Sequence, residues 1–247
     1  MNILAIDAGN TRIKWGLHDG EQWAALGVVA KQDTVRLSDA WKQLPVPAKI
    51  IVSNVSGERV RSELNVLMAR WRVSPVWITA HSSQCGVTNG YAQPSQLGSD
   101  RWAALIGAHY FHQGAAVVVM AGTAITIDAL TAGGKFLGGF ILPGLDMMAE
   151  SLTAKTAAIR VERGEFESFP TNTRNAVWSA GVQAAAGAVD RMCNALVAGG
   201  EKMPAILLSG GAAEAIAPHL YGPVVRRENL VLEGLIYVAL ATTVETT

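Results

Sequence analysis

The sequence has little of what several common function classes require. Its two cysteines, Cys85 and Cys193, lie far apart and match no metal-site or redox spacing, so they read as buried thiols in a reducing cytoplasm. The histidines His18, His81, His109, His112 and His219 show no metal-ligand spacing and no link to a candidate nucleophile. The longest apolar runs, 115–121 and 235–241, fall far short of the roughly 20 residues a membrane helix needs. Met1-Asn-Ile-Leu runs straight into a strand pattern, without the basic start and small-residue cleavage site of a secretory signal. Twenty Lys plus Arg are matched by twenty Asp plus Glu, so no basic surplus calls for nucleic acid or an anionic membrane. No Walker-type phosphate loop, dinucleotide fingerprint or protein-kinase signature is present. No repeat of 20–50 residues marks a solenoid. These absences leave a cytoplasmic protein with no expected nucleic-acid or membrane partner.

What is present is apolar and α/β in pattern. Half of the 247 residues are hydrophobic, enough for two small lobes or one large unit. Residues 3–6 read as a strand, Asp7-Ala-Gly-Asn-Thr11 as a tight turn, and Ile13 and Trp15 resume the alternation with Lys14 on the opposite face. A strand over 50–55, helical spacing from Val60 to Trp71 and a strand over 76–79 complete a strand–helix–strand unit. A helix starts near Asp100. Residues 115–120 form a buried strand, followed by Ala121-Gly-Thr-Ala-Ile-Thr-Ile-Asp128, which repeats the plan of the first hairpin. Gly133-Gly134 and Gly138-Gly139 punctuate a further hairpin ending at Leu142-Pro-Gly144. Helices over 145–158 and 173–197, a strand over 205–211 running into a glycine turn, and a closing helix over 230–244 follow. The chain reads as one lobe duplicated, 1–114 and 115–247, with the boundary near 113–116.

The chemistry concentrates at the two glycine turns and the stretch between them. Turns that expose backbone N–H groups beside Thr or Lys suit phosphate, and one such turn per lobe would clamp a nucleotide from both sides. Lys14 would add positive charge, and Thr11 and Thr123 hydroxyls. Each turn taken alone also fits an ordinary hairpin. Tyr91-Ala-Gln-Pro-Ser-Gln-Leu-Gly-Ser-Asp-Arg-Trp102 holds Asp100, the carboxylate best placed for chemistry, which alone would also serve as a helix N-cap.

In combination, Asp7-Ala-Gly-Asn-Thr11, Tyr91-x-x-Pro-x-Gln-Leu-Gly-x-Asp-Arg101, Gly122-Thr-Ala-x-Thr-x-Asp128, Gly138-Gly-x-x-x-Pro-Gly144, Asn172-Thr-x-x-Ala176 and Ser209-Gly-Gly211 resemble the type III pantothenate kinases over nearly the whole chain. The central block is the specific part, whereas the glycine turns are shared with the wider actin, sugar-kinase and heat-shock ATPase superfamily. The resemblance implies two ribonuclease-H-like lobes, a homodimer, and ATP-dependent phosphorylation of pantothenate at the start of coenzyme A synthesis, with Mg²⁺ accompanying ATP. It places Asp7, Ala8, Gly9, Asn10, Thr11, Arg12, Ile13, Lys14 and Thr123 at ATP and makes Asp100 the proton acceptor. Tyr91, Gly98, Ser99, Asp100, Arg101 and Thr173 fall at pantothenate. Asp7 is the expected protein group near Mg²⁺, and Asp100 is expected to work near the ordinary carboxylate pKa of ~3.9.

Two positions depart from the family pattern. Met120 stands where relatives often carry an Asp that helps hold K⁺ or NH₄⁺, and a thioether is a poor partner for a hard cation. Weaker K⁺ activation is expected, or a site rebuilt from backbone carbonyls and a carboxylate such as Asp128. Ala180 stands where relatives tend to place a Gly, with Gly181 one residue later. Two other readings stay open. One is a kinase for another small hydroxy acid, which would not need the Tyr91–Arg101 block. The other is a non-enzymatic regulator of the accessory transcription factor type, against which the lack of a Lys/Arg cluster beyond Arg226-Arg227 counts. Seven Trp and seven Met are more large apolar side chains than a chain this size need hide, which also points to a homodimer interface.

Overall fold

The computed structural model describes residues 1–155 and 163–241. The chain forms two compact units. The first is built on β1 (Ile3–Ala8), β2 (Arg12–His18) and β3 (Trp23–Ala30), an antiparallel meander, followed by a short α1 (Arg36–Ala40). Next come β4 (Lys49–Asn54), α2 (Glu58–Met68) and β5 (Pro75–Trp77), in which β4 lies parallel to both β1 and β5. The sheet order is β3-β2-β1-β4-β5. Strand β3, unread in the sequence, is an alternating edge strand made largely of small residues, with weak periodicity and no charge. A small hairpin of β6 (Ser83–Gln84) and β7 (Val87–Asn89) precedes α3 (Ser99–Phe111).

One face of the first sheet buries Leu4, Ile6, Ile13, Trp15, Ile50 and Val52 against Val60, Leu64 and Met68 of α2. Trp15 meets Trp41 edge-on at 6.2 Å, and Trp41 meets Trp71 at 5.4 Å, both within the range of favourable aromatic pairs. Three of the tryptophans counted toward an interface therefore belong to this core, and Trp102 and Trp178 are buried as well. The tryptophans therefore carry little of the compositional argument for a dimer, whereas Met147 and Met203 are exposed.

The second unit repeats the sheet. Strands β8 (Ala116–Ala121), β9 (Ala124–Leu130) and β10 (Lys135–Pro143) form an antiparallel meander. Gly138 and Gly139 lie within β10, at a bulge where Gly138 has φ +135°, rather than at a hairpin turn. The reversal is at Gly133-Gly134 instead. Helix α4 (Leu145–Lys155) ends the described part of the helix expected over 145–158, and α5 (Thr173–Ala198) follows. Then come β11 (Ala205–Ser209), the short α6 (Ala213–Ile216) and β12 (Val224–Arg226), with β11 parallel to β8 and β12 parallel to β11. Val117, Val119, Ile125 and Ile127 pack on Val182, Ala186 and Val189 of α5.

The closing helix, α7 (Leu230–Ala241), belongs to the first unit and not to the 115–247 lobe expected from the sequence. It is apolar along nearly its whole length, and Leu230, Leu232, Leu235 and Ile236 are buried as it packs along α3. A helix so uniformly apolar needs cover on more than one side, which explains its return to the first unit. Residues 242–244 lie outside the described ones.

Candidate active site

The first glycine turn links β1 to β2. Ala8 and Ile13 point into the core with no exposure, so their side chains are structural and only their backbones line the turn. Asn10, Thr11 and Arg12 are exposed at the tip, and Gly9 N–H donates to the Arg12 carbonyl at 3.1 Å, closing it. Asp7 ends β1 opposite Lys14 in the antiparallel register and beside Ser53 in the parallel one.

Asp7 is an ionisable group held where ionisation is difficult. Its Oδ1 is buried with no hydrogen-bond partner. Burial first, and the negative charge of Asp100 second, push its pKa from 3.8 to about 7, against the pull of Lys14. Asp100, at the start of α3, is raised as well, chiefly by burial and in part offset by the Arg101 N–H, which donates to its Oδ1 at 2.8 Å, and by the Arg101 charge. The expectation of an ordinary carboxylate pKa for Asp100 is corrected here. Burial is a tertiary property that the local sequence does not carry.

The block around Asp100 is tightly built. A Cβ on Gly98 would stand 2.6 Å from Asp100 Oδ1, so the absent side chain is what leaves room for the carboxylate. Ser99 is buried, and its hydroxyl shares a 2.9 Å hydrogen bond with that of Ser53 on β4. Arg101 is 5% exposed; its Nη1 donates to the Tyr91 hydroxyl at 3.0 Å, and its guanidinium lies 5.8 Å from the Tyr91 ring centre. Asn89 Oδ1 accepts from the Tyr91 N–H at 3.0 Å, fixing the start of the loop. The first unit thus brings together Asp7–Lys14, Tyr91 and Gly98–Arg101.

Thr123 and Thr173 lie in the second unit. Thr123 is exposed at the tip of the β8–β9 turn, where its carbonyl accepts from Gly144 N–H at 2.8 Å. Gly210, with φ +105°, holds the other side of this corner: a Cβ there would lie 2.6 Å from the Ala121 carbonyl carbon. Thr173 is the exposed first residue of α5, whose cap is Asn172 accepting from Asn175 N–H at 2.9 Å. Ala180 is exposed, whereas Gly181 is buried and its position lies against Leu145, so close packing falls one residue after the family's expected glycine.

These parts have counterparts in known proteins. A family model for type III pantothenate kinase matches residues 3–195. The chain belongs to the type III pantothenate kinase family. The type III pantothenate kinase of Nitrosospira multiformis is 46% identical over 237 residues, covering 96% of this chain and 90% of that protein. Among solved structures, a Campylobacter jejuni protein described as a Baf family transcriptional activator has a TM-score of 0.62 at 19% identity, covering 97% of this chain and 98% of that one. A Sinorhizobium meliloti protein described as a 2-dehydro-3-deoxygalactonokinase has a TM-score of 0.59 at 15% identity, covering 97% and 99%. The fold is that of the actin-like ATPases and sugar kinases, with mixed α/β sheets in two lobes. The chain is a kinase.

Proposed function

We propose that the chain transfers the γ-phosphoryl group of ATP to the primary hydroxyl of pantothenate, opening coenzyme A synthesis, with Asp100 as proton acceptor. The observation that carries these roles is that the half-buried Asp100 lies near Asp7 at the end of β1: Ser99 before it bonds to Ser53, the register neighbour of Asp7, and the Asp100 charge raises the Asp7 pKa. Phosphoryl transfer depends mainly on positioning and charge neutralisation. The backbone of Asp7–Lys14 and the Lys14 cation serve the phosphates, and Thr123 serves them from the second turn. Asp100, whose pKa burial raises, is a stronger base than an exposed aspartate and accepts the hydroxyl proton as the new O–P bond forms and the bond from the γ-phosphorus to the ADP oxygen breaks. Arg101, steadied by Tyr91, pairs with the pantothenate carboxylate, and Thr173 supplies a further contact.

Mg²⁺ fits this site. The buried, unpartnered Asp7 Oδ1 offers a hard oxygen. Mg²⁺ keeps most of its waters and binds substrate phosphates, so one or two carboxylates suffice to hold it. When bound with ATP, Mg²⁺ neutralises charge on the phosphate oxygens. For the monovalent cation, Met120 offers no hard donor, but it stands opposite Thr126, whose buried Oγ1 lacks a hydrogen-bond partner. Activation by K⁺ is therefore weaker than a carboxylate at 120 would give, with Thr126 and the buried Asp128 as the nearby oxygen sources on β9.

A homodimer belongs to the same reading, supported by Leu137, Phe140 and Ile141 exposed on β10 and Met147 on α4. A monomer mass by light scattering at micromolar concentration rejects it. Cytoplasmic residence belongs to the same reading: the two cysteines match no metal-site or redox spacing, and no described helix is long and apolar enough to cross a membrane. The regulator reading gains nothing from charge, since Arg226 of the one basic pair is bonded to Glu214 at 2.7 Å. The test is an ATP-dependent assay of the purified chain against a panel of small hydroxy acids. Phosphorylation of pantothenate well above the others is expected, and a different preferred acid, or none, overturns the assignment.

A further inference from the structure

The phosphate turn and the start of α3 are tied to the same short loop, Ser53-Asn-Val-Ser-Gly57, which carries β4 into α2. This loop lies outside the motifs quoted above for the family resemblance. Ser53 stands beside Asp7 in the sheet register, and the next residues reach the glycine turn. Val55 N–H donates to the Ala8 carbonyl at 3.1 Å, and the Ser56 hydroxyl donates to the Gly9 carbonyl. Toward α3, the Ser53 and Ser99 hydroxyls are 2.9 Å apart, one residue before Asp100. Asn54 closes the loop on itself, accepting from Ser56 N–H at 2.9 Å and donating to the Gly57 carbonyl at 3.1 Å.

Ser53 is the exception that calls for a reason. It follows Ile50, Ile51 and Val52 on a buried strand and has no exposure itself. A hydroxyl in such a place is unfavourable unless bonded, and its bond goes to the residue next to Asp100. Ser56 is a second hydroxyl aimed at a functional backbone, here the corner carbonyl of the phosphate turn. A loop that needed only to reverse the chain would require neither.

We infer that Ser53 and Ser56 are positioning residues for the transfer: Ser53 sets Asp100 through Ser99, Ser56 sets the Gly9 corner, and Asn54 fixes the spacing between them. The two hydroxyls thereby hold the proton acceptor and the phosphate-binding backbone in one frame. This rests on the kinase reading above.

The test is steady-state kinetics of the full chain with ATP and pantothenate, run well below each variant's melting temperature. Misplacing a reacting group by ~1 Å can lower a rate by up to ~100-fold, so Ser53→Ala is expected to lower kcat roughly tenfold while the KM for ATP stays within about twofold. Ser56→Ala is expected to do the reverse, raising the KM for ATP about fivefold with kcat nearly kept, and Ser56→Thr, which retains the hydroxyl, restores it. Should Ser53→Ala fail to fold, Ser53→Cys keeps a weak donor in place and is expected to shift kcat in the same direction by less. Wild-type kcat in the Ser53 variant, or kcat and KM moving together in proportion to lost melting temperature in both variants, overturns the inference. An inactive wild type refutes the kinase reading, whereas an active wild type without the split refutes this inference alone.

Discussion

The two glycine corners are built on one plan and filled with different chemistry. In the first unit the strand order β3-β2-β1-β4-β5 runs through two antiparallel and then two parallel pairings, and β10-β9-β8-β11-β12 does the same in the second. Each corner glycine donates to a carbonyl just ahead, Gly9 to Arg12 at 3.1 Å and Gly122 to Ala124 at 3.0 Å. Each preceding alanine accepts from the returning loop, Ala8 from Val55 at 3.1 Å and Ala121 from Ala212 at 3.0 Å. The side chains then diverge. Asp7 has Lys14 and Ser53 as register partners, and the equivalent Met120 has Thr126 and Ser209. The fold supplies the corner twice, but at this register position the first copy has an acid, Asp7, where the second has Met120.

That asymmetry can be broken from either side. The largest effect is expected for Asp7→Asn, which should lower turnover by ~100-fold or more, as removing one preorganised electrostatic group commonly does. The same variant should be more stable at pH 8 and unchanged near pH 4. The folded chain holds the Asp7 proton up to about 7 and the unfolded chain only to 3.8, so stability is lost as pH rises between those values and stays lost above them. Equal melting temperatures of variant and wild type at pH 8 would contradict the burial argument. Gly210→Ala, which meets the Ala121 backbone at positive φ, should cost about 2–4 kcal/mol by chemical denaturation, and Gly9→Ala, whose nearest obstacle is the Arg12 carbonyl at 3.2 Å, under about 1 kcal/mol.

Smaller and more specific is Arg101→Ala. It should raise the KM for pantothenate roughly 10–100-fold, the worth of a charge-assisted pair, and leave the KM for ATP nearly unchanged. Parallel changes in both would remove Arg101 from the acid's carboxylate. The smallest is Met120→Asp, expected to increase the ratio of initial rates in potassium chloride to those in a bulky organic chloride by a few-fold at most. A wild-type rate that collapses without K⁺, unaltered by Met120→Asp, would show that position 120 plays no part.

Much of this was legible in the sequence because its signals are local. Turn formers at 7–11 and 121–124, the apolar alternation around them and the Pro94, Gly98 and Asp100 punctuation mark the two corners and the start of α3. What was not legible depends on partners distant in the chain. Trp15, Trp41 and Trp71 form a core cluster instead of an interface, and α7 returns to the first unit, because burial is settled by tertiary packing. Gly138 reads as a turn residue and sits in a bulge, since glycine serves both. Ser53 and Ser56 look like generic strand-end and loop residues; only their contacts with Ser99 and Gly9 set them apart.

The central claim, that half-buried Asp100 takes the proton during phosphoryl transfer to pantothenate, is tested most directly by Asp100→Asn assayed for turnover and, by calorimetry, for substrate binding. A general base contributes about 100- to 10,000-fold, so turnover should fall by at least ~100-fold while the folded variant binds pantothenate and ATP within a few-fold of wild type. Turnover near that of wild type would contradict the account.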